Sequence, residues 1–220
     1  MGNPLIMVIA IDGPAGSGKS TLSKILAKKL GFVYLDTGAM YRALTLKVLN
    51  EKVSLDDESG MIRLAKDLDF KYGRDNRVFL DGKDVTENIR TPEIEKAISK
   101  VCGIPKVREY LVALQRKIAG SVSCVTEGRD TTTVVFPRAE AKVFLDASVD
   151  ERARRRLLDF QKKNIAIDLE TVKKELRRRD LADCSRSVGA LKKAPDAFVL
   201  DTTGLTIEQV AEKIYSLVKQ

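Results

Sequence analysis

The residue types most able to do chemistry stand together at Gly13-Pro14-Ala15-Gly16-Ser17-Gly18-Lys19-Ser20. Their spacing fits G-x-x-x-x-G-K-[ST], and the run lies between a short apolar segment and a helical pattern, the context that motif requires. Glycines there allow unusual dihedrals and let backbone N–H groups approach a polyphosphate. The start of the following helix adds partial positive charge. Lys19 is placed to reach β- and γ-phosphates, and the Ser20 hydroxyl to ligate Mg²⁺. A chance glycine-rich turn is the alternative, and strand and helix in register argue against it. The loop alone does not separate kinases from GTPases, ATPases or transporters.

Four further groups carry charge suited to anions. Asp36-Thr37-Gly38-Ala39-Met40-Tyr41-Arg42 follows a second apolar run, and Gly128-Arg129-Asp130 follows a third. In an open α/β sheet ligands bind at the carboxyl ends of strands, so Thr37, Arg42, Arg129 and Asp130 belong at that edge. Arg42 reads either as a clamp for a second anion or as a solvated residue after a helix cap. Arg129 offers the planar fork that grips a phosphate at two points; with Asp130 it also reads as an ion pair holding a loop. Arg152, Arg155 and Arg156 fall at i, i+3, i+4 on one helical face. Arg179, Asp183 and Arg186 follow at i, i+4, i+7. These basic runs read as a solvated face, an RNA-binding stripe or a nucleotide clamp.

Composition narrows the choice. The 220 residues contain 39 Lys plus Arg against 31 Asp plus Glu, a net charge of +8. Between Asp150 and Lys193 there are 14 basic and 8 acidic residues, so most of the excess is local. Such a balance suits phosphorylated small molecules, nucleic acid or an anionic surface. Aromatic residues are 5% and Trp is absent, which leaves few platforms for stacking single strands. There is no His, which removes His-based hydrolases and any His general base. Cys102, Cys124 and Cys184 are scattered, so neither a zinc site nor a disulfide framework is expected. The apolar run Pro4–Ile11 is too short to cross a bilayer and lacks the flanks of a secretory signal. A cytoplasmic protein is expected.

The elements that must position these residues alternate. Short β-rich runs at 6–11, 32–35, 122–126, 142–145 and 198–200 predict five buried strands. Helices are expected over 20–30, 40–49, roughly 54–68, from Ser148 onward, over 168–179, and after Thr206. Between 69 and 119 the texture changes. A small antiparallel hairpin or meander around the turn 73–76 leads to helices opening at Pro92 and Pro105. The expected fold is therefore α/β: a five-stranded, doubly wound parallel sheet as core (1–68 and 120–220), with an antiparallel-β plus helical insertion (69–119).

The phosphate loop together with D-T-G-x-x-Y-R resembles the bacterial cytidylate kinases. So do Asp84-Val85-Thr86 with Ile89-Arg90-Thr91, Ser99 with Val107-Arg108, Gly128-Arg129-Asp130 running to Val134-Val135-Phe136-Pro137, Arg152 through Arg156, and Arg179, Asp183 and Arg186. The resemblance runs from Ile9 almost to the C-terminus. It implies transfer of a phosphoryl group from ATP, with Mg²⁺, to CMP or dCMP. ATP would be held by Gly13 through Thr21, meaning Gly13, Pro14, Ala15, Gly16, Ser17, Gly18, Lys19, Ser20 and Thr21, with Arg152 and Arg156. Lys19, Arg129 and Arg155 would act on the reacting phosphates, and Ser20 on the metal. CMP would be held by Thr37, Arg42, Ser99, Arg108, Arg129, Asp130, Arg179, Asp183 and Arg186. Residues 152–186 would form a mobile helical lid. No obligate nucleic acid and no membrane are expected as partners, and nothing in the sequence demands more than a monomer. Two positions depart from the family pattern: Glu127 stands where Asp is usual, and Thr132 where Gly is usual, a strained choice if the backbone there needs positive φ. Another small-molecule phosphate-loop kinase and an RNA-binding phosphate-loop protein are the competing readings.

Overall fold

The computed structural model describes residues 6–162 and 164–218; Pro4 and Leu5 of the first apolar run lie outside them. The strands, in chain order, are β1 (Val8–Asp12), β2 (Val33–Asp36), β3 (Phe70–Tyr72), β4 (Val78–Leu80), β5 (Lys83–Asp84), β6 (Cys124–Gly128), β7 (Ala141–Asp146) and β8 (Phe198–Asp201). The helices are α1 (Lys19–Leu30), α2 (Thr37–Asn50), α3 (Glu58–Lys66), α4 (Pro92–Gly103), α5 (Pro105–Ala119), α6 (Val149–Lys162), α7 (Leu169–Cys184) and α8 (Ile207–Val218). They form two compact units, one of the described residues up to Tyr34 and from Val122 on, the other Leu35–Ser121.

The first unit carries the expected five-stranded sheet, in the order β2-β6-β1-β7-β8. β1 pairs in parallel with β6 and β7, and β7 with β8. The order reverses beside β1, the switch point where a doubly wound sheet opens a crevice at its carboxyl edge. Ile9 and Ile11 of β1, Leu22 and Leu26 of α1, Leu145 of β7 and Ile214 of α8 are fully buried together. Each contributes roughly 1.5–3 kcal/mol of burial. This core fixes where β1 ends and α1 begins. Gly31, at φ 71°, stops α1, its N–H turning back to the Ala27 and Lys28 carbonyls. Thr206 and Gln209 exchange hydrogen bonds at the start of α8, completing the capping box expected there.

The second unit joins α2–α5 to the three-stranded sheet β3-β4-β5. Phe70 faces Leu80 and Tyr72 faces Val78 across the antiparallel pair. Leu44, Met61, Ile89, Val101 and Leu111 fill its core. Thr91 caps α4 with Pro92 at the first helical position, as the sequence indicates.

Several boundaries differ from expectation. α2 starts at Thr37 rather than Met40, because Asp36 caps it by accepting from the Ala39 N–H at 3.0 Å. α3 starts later, with Asp57 rather than Ser54 as its cap. α7 runs to Cys184, past Arg179, but stops before Arg186, so Arg186 is not on its face. Thr131–Val135 forms a π-helical turn that the β-branched sequence Thr-Thr-Thr-Val-Val does not suggest.

Candidate phosphate-transfer site

β1 delivers the chain into the glycine loop. Gly13 sits at φ 152°, and a Cβ there would lie 2.1 Å from the Leu145 carbonyl oxygen, so no side chain fits. Gly16, at φ 78°, rests against Arg152, where a Cβ would meet another Cβ at 3.2 Å. Gly18, at φ 91°, leads into α1 without a side-chain cap. The first N–H groups of α1 are thus left to a ligand or solvent. Lys19 is 95% buried beneath the loop, since its relative exposure is 5%. Its ammonium donates to the Pro14 carbonyl at 2.7 Å and to Ser17 Oγ at 3.4 Å. Burial, then the nearby Arg129 guanidinium, push its pKa down to about 7 against the pull of Glu127 and Asp12, with Arg179 adding to the depression.

The Ser20 hydroxyl donates to Glu127 Oε1 at 2.6 Å, and the Tyr34 hydroxyl donates to the same oxygen at 3.1 Å. A hydroxyl and a carboxylate beside a phosphate nest are hard oxygen donors of the kind Mg²⁺ accepts when phosphates and waters fill its remaining positions. No group of three or more His, Cys, Asp or Glu residues able to hold a metal occurs among the described residues. The set fits a nucleotide-borne Mg²⁺ rather than a protein-caged one. Glu127 reaches Ser20 in spite of departing from the family's usual Asp.

Asp12, the last residue of β1, has no exposed surface. Its Oδ1 accepts from Thr131 N and Oγ1 at 2.9 and 2.6 Å, and its Oδ2 from Thr132 N and Oγ1 at 2.7 and 2.6 Å. Thr132 is not among the residues at positive φ. The strain expected there does not arise, because the π-helical turn places the residue in a right-handed conformation.

Arg129, Arg186 and the arginines of α6 are engaged within the first unit. Arg129 donates from Nε to Asp183 Oδ2 at 2.6 Å and from a terminal nitrogen to the Gly128 carbonyl at 3.3 Å. Its ion-pair partner is therefore Asp183, from α7. Arg186 pairs with the other Asp183 oxygen. Burial pulls the Asp183 carboxyl upward, but Arg129, Arg186 and Arg179 outweigh it and hold the group below the usual range. Arg152 is buried, donating to the Ala147 and Ala15 carbonyls at 2.9 Å each and to Asp180 at 2.6 Å. Asp180 in turn accepts from the Ala15 N–H of the loop at 3.2 Å. Arg152 is thus a strut behind the loop. Arg155 donates to Glu151 at 2.9 Å and to Thr202 Oγ1 and carbonyl at 3.1 and 2.7 Å. Arg156 is exposed, its guanidinium 4.9 Å from the Phe160 ring centre. The three do not share one environment, although their spacing puts them on neighbouring turns.

In the second unit, Thr37 is buried at the start of α2. Arg42 donates from Nε to Glu95 at 3.1 Å and lies 3.9 Å from Asp36, so it is not a solvated residue. Arg90 also reaches Asp36, at 3.1 Å. Ser99 is exposed on α4, and Arg108 is buried with its guanidinium 5.3 Å from the Tyr41 ring centre. The sequence reading missed Asp12, Tyr34, Asp180, Thr131 and Thr202. Asp12 had a signal: a carboxylate ending a buried apolar strand must find donors. The others are recognisable only through the contacts folding gives them.

A parallel sheet reversing at β1, with a glycine nest at that strand's carboxyl end, defines a phosphate-loop nucleotide-binding protein. The chain spans 97% of itself and 99% of an uncharacterized protein from Eubacterium ventriosum with the same fold, at a TM-score of 0.55 and 14% identity. Sequence is more specific. The cytidylate kinase family profile matches residues 9–220. The cytidylate kinase of Carboxydothermus hydrogenoformans is 49% identical over 96% of this chain and 97% of its own length. That of Caldanaerobacter subterraneus subsp. tengcongensis is 50% identical over 98% and 96%. The chain belongs to the cytidylate kinase family.

Proposed function

We propose that the protein transfers the γ-phosphoryl group of ATP to CMP or dCMP, giving ADP and CDP or dCDP. The observation that carries this is identity of about half over nearly the whole chain to curated cytidylate kinases. The candidate acceptor residues are spread from Thr37 to Arg186, so only similarity of that extent covers them all. A monophosphate is already ionised at neutral pH and its oxygen needs no general base, in keeping with a chain that lacks His.

The loop N–H groups bind the donor's phosphates, and Lys19 neutralises the oxygens of the transferring group. Held by Ser20 with Glu127 behind it, Mg²⁺ would offset further charge on the β- and γ-phosphates. A phosphate entering the nest raises the depressed Lys19 pKa, so the ammonium is charged when charge is needed. Arg129, with Arg42 and Arg179, aims the acceptor phosphate, and Arg155 moves onto the transferring group. Ser99 and Asp130 accept from the cytosine amino group, Arg108 and Arg186 donate to the base edge, and Asp183 with Arg179 holds a sugar hydroxyl. Uracil presents a carbonyl where these acceptors need a donor, leaving buried groups unpaired.

No helix among the described residues is long and apolar enough to cross a membrane. The reading carries with it action in the cytoplasm as a monomer. An ADP-release assay over CMP, dCMP, UMP, AMP and shikimate tests it. CMP and dCMP are expected as preferred acceptors, and a different preferred acceptor overturns the proposal.

A further inference from the structure

An Asp just before a helical turn ordinarily folds its own side chain onto the turn's first N–H groups. Asp130 holds that position before the π-helical turn, yet its side chain makes no cap hydrogen bond; only its carbonyl joins the turn, accepting from Val134 and Val135. The capping is done from another strand. Asp12 takes both leading N–H groups and both hydroxyls, one N–H and one O–H from a single threonine on each carboxylate oxygen. β1 and β6 run in register with Asp12 opposite Gly128. The carboxylate therefore reaches past the end of β6 and fixes the two residues after Asp130. Asp12 is also bonded directly to Gly13, the first glycine of the nest, where a Cβ would run into the Leu145 carbonyl.

We infer that Asp12, with Thr131 and Thr132, is a positioning device that ties the phosphate nest to the arm bearing Arg129 and Asp130, capping the turn in place of the Asp130 side chain. The inference rests on the acceptor assignment proposed above. Four donors converge on a carboxylate with no exposed surface, so the turn has one position relative to β1. The threonine hydroxyls supply two of those donors; glycine at 132 would supply only its N–H. Misplacing a gripping group by a fraction of an ångström costs turnover more than it costs binding of a partner held elsewhere.

The test compares the wild type with Thr131→Val/Thr132→Val, the single Thr132→Val, and Thr132→Ser. The double variant keeps both N–H donors and both β-branched shapes while losing both hydroxyls. It is expected to raise the KM for CMP and lower kcat by about tenfold each, with a narrowed CMP-over-UMP ratio. The Kd of a non-hydrolysable ATP analogue should stay within about twofold, because the loss of one or two hydrogen bonds falls on the turn and not the nest. Thr132→Ser, which restores a donor, should return toward wild type. If the double variant does not fold, Thr132→Val is read by the same criteria. Wild-type protein that turns over no CMP sinks the functional reading. Wild-type protein that does, beside valine variants with lowered melting temperature but unchanged CMP kinetics and selectivity, overturns this inference alone.

Discussion

The phosphate loop and the ion-paired arginines Arg129, Arg155 and Arg186 are built on different terms. The loop is made of backbone: its N–H groups point where covalent geometry and three positive-φ glycines put them, with the Ala15 N–H held by Asp180. The arginines are side chains already satisfied. Arg129 and Arg186 rest on Asp183, and Arg155 on Glu151 and Thr202. Touching a phosphoryl group means exchanging one set of charge-assisted bonds for another, so their net gain is a difference between two large terms. Under the proposed function the nest would hold the donor, while the exchange would postpone full charge compensation until an acceptor competes for the guanidiniums. The difference teaches that rigidity and responsiveness are set by whether the donor groups belong to main chain or side chain.

The comparison can be broken most severely at Lys19, a side chain sited inside the backbone nest. Lys19→Met should lower kcat by ~10²–10³-fold, as loss of one preorganised charge does, measured by coupled ADP release. Next comes Arg129→Ala. CMP phosphorylation should fall about 10²-fold, the loss of one to two charge-assisted bonds, with affinity for an ATP analogue retained by calorimetry; retained CMP turnover removes Arg129 from its role. It should also raise the Asp183 carboxyl toward its usual range, since Arg129 is the largest influence holding it down.

A smaller effect concerns pH. The folded free protein holds Lys19 near 7, below the ordinary lysine value of 10.5. Between those values the unfolded chain binds the proton that the folded chain has shed, so Lys19 makes stability rise with pH across that window; below about 7 its full penalty remains. Melting temperatures of wild type and Lys19→Met should therefore converge as pH rises from 7 to 9. ATP binding at pH 8 should take up protons in the wild type only, read from calorimetry in two buffers of different ionisation enthalpy. The smallest effect is at Glu151. Glu151→Gln loosens an i,i+4 pair that is partly exposed, worth roughly 0.3–0.5 kcal/mol. It should release Arg155 slightly and raise kcat by no more than about twofold; a marked drop would mean that Glu151 aims Arg155 rather than detains it.

The same division governs what could be read from sequence. The sheet was legible because 6–11, 122–126 and 142–145 are short β-rich runs with no competing periodicity, and strands form over or within two residues of them. The nest was legible because its glycines and Lys19 sit at fixed spacing within a few residues. The π-helical turn was not, since Thr131–Val135 has strand-like composition and its conformation is imposed by Asp12, over a hundred residues away in sequence. Nor was the burial of Arg152, whose partners Ala15 and Asp180 come from the loop and from another helix. Arg186 looked like a helix-face residue by spacing, and reaches Asp183 from beyond the helix end instead. Local pattern reports local geometry; partners supplied by distant segments leave no trace in it.

The cysteines have a practical consequence. Cys102 and Cys124 are buried out of reach of a maleimide, and burial also pushes the Cys124 thiol up to about 12, away from the reactive thiolate. Cys184 is exposed and directly follows Asp183 in α7. A single fluorophore can therefore be attached to the unmutated protein, beside the Asp183 ion pairs that the proposed function would rearrange, and its emission followed as each nucleotide is added.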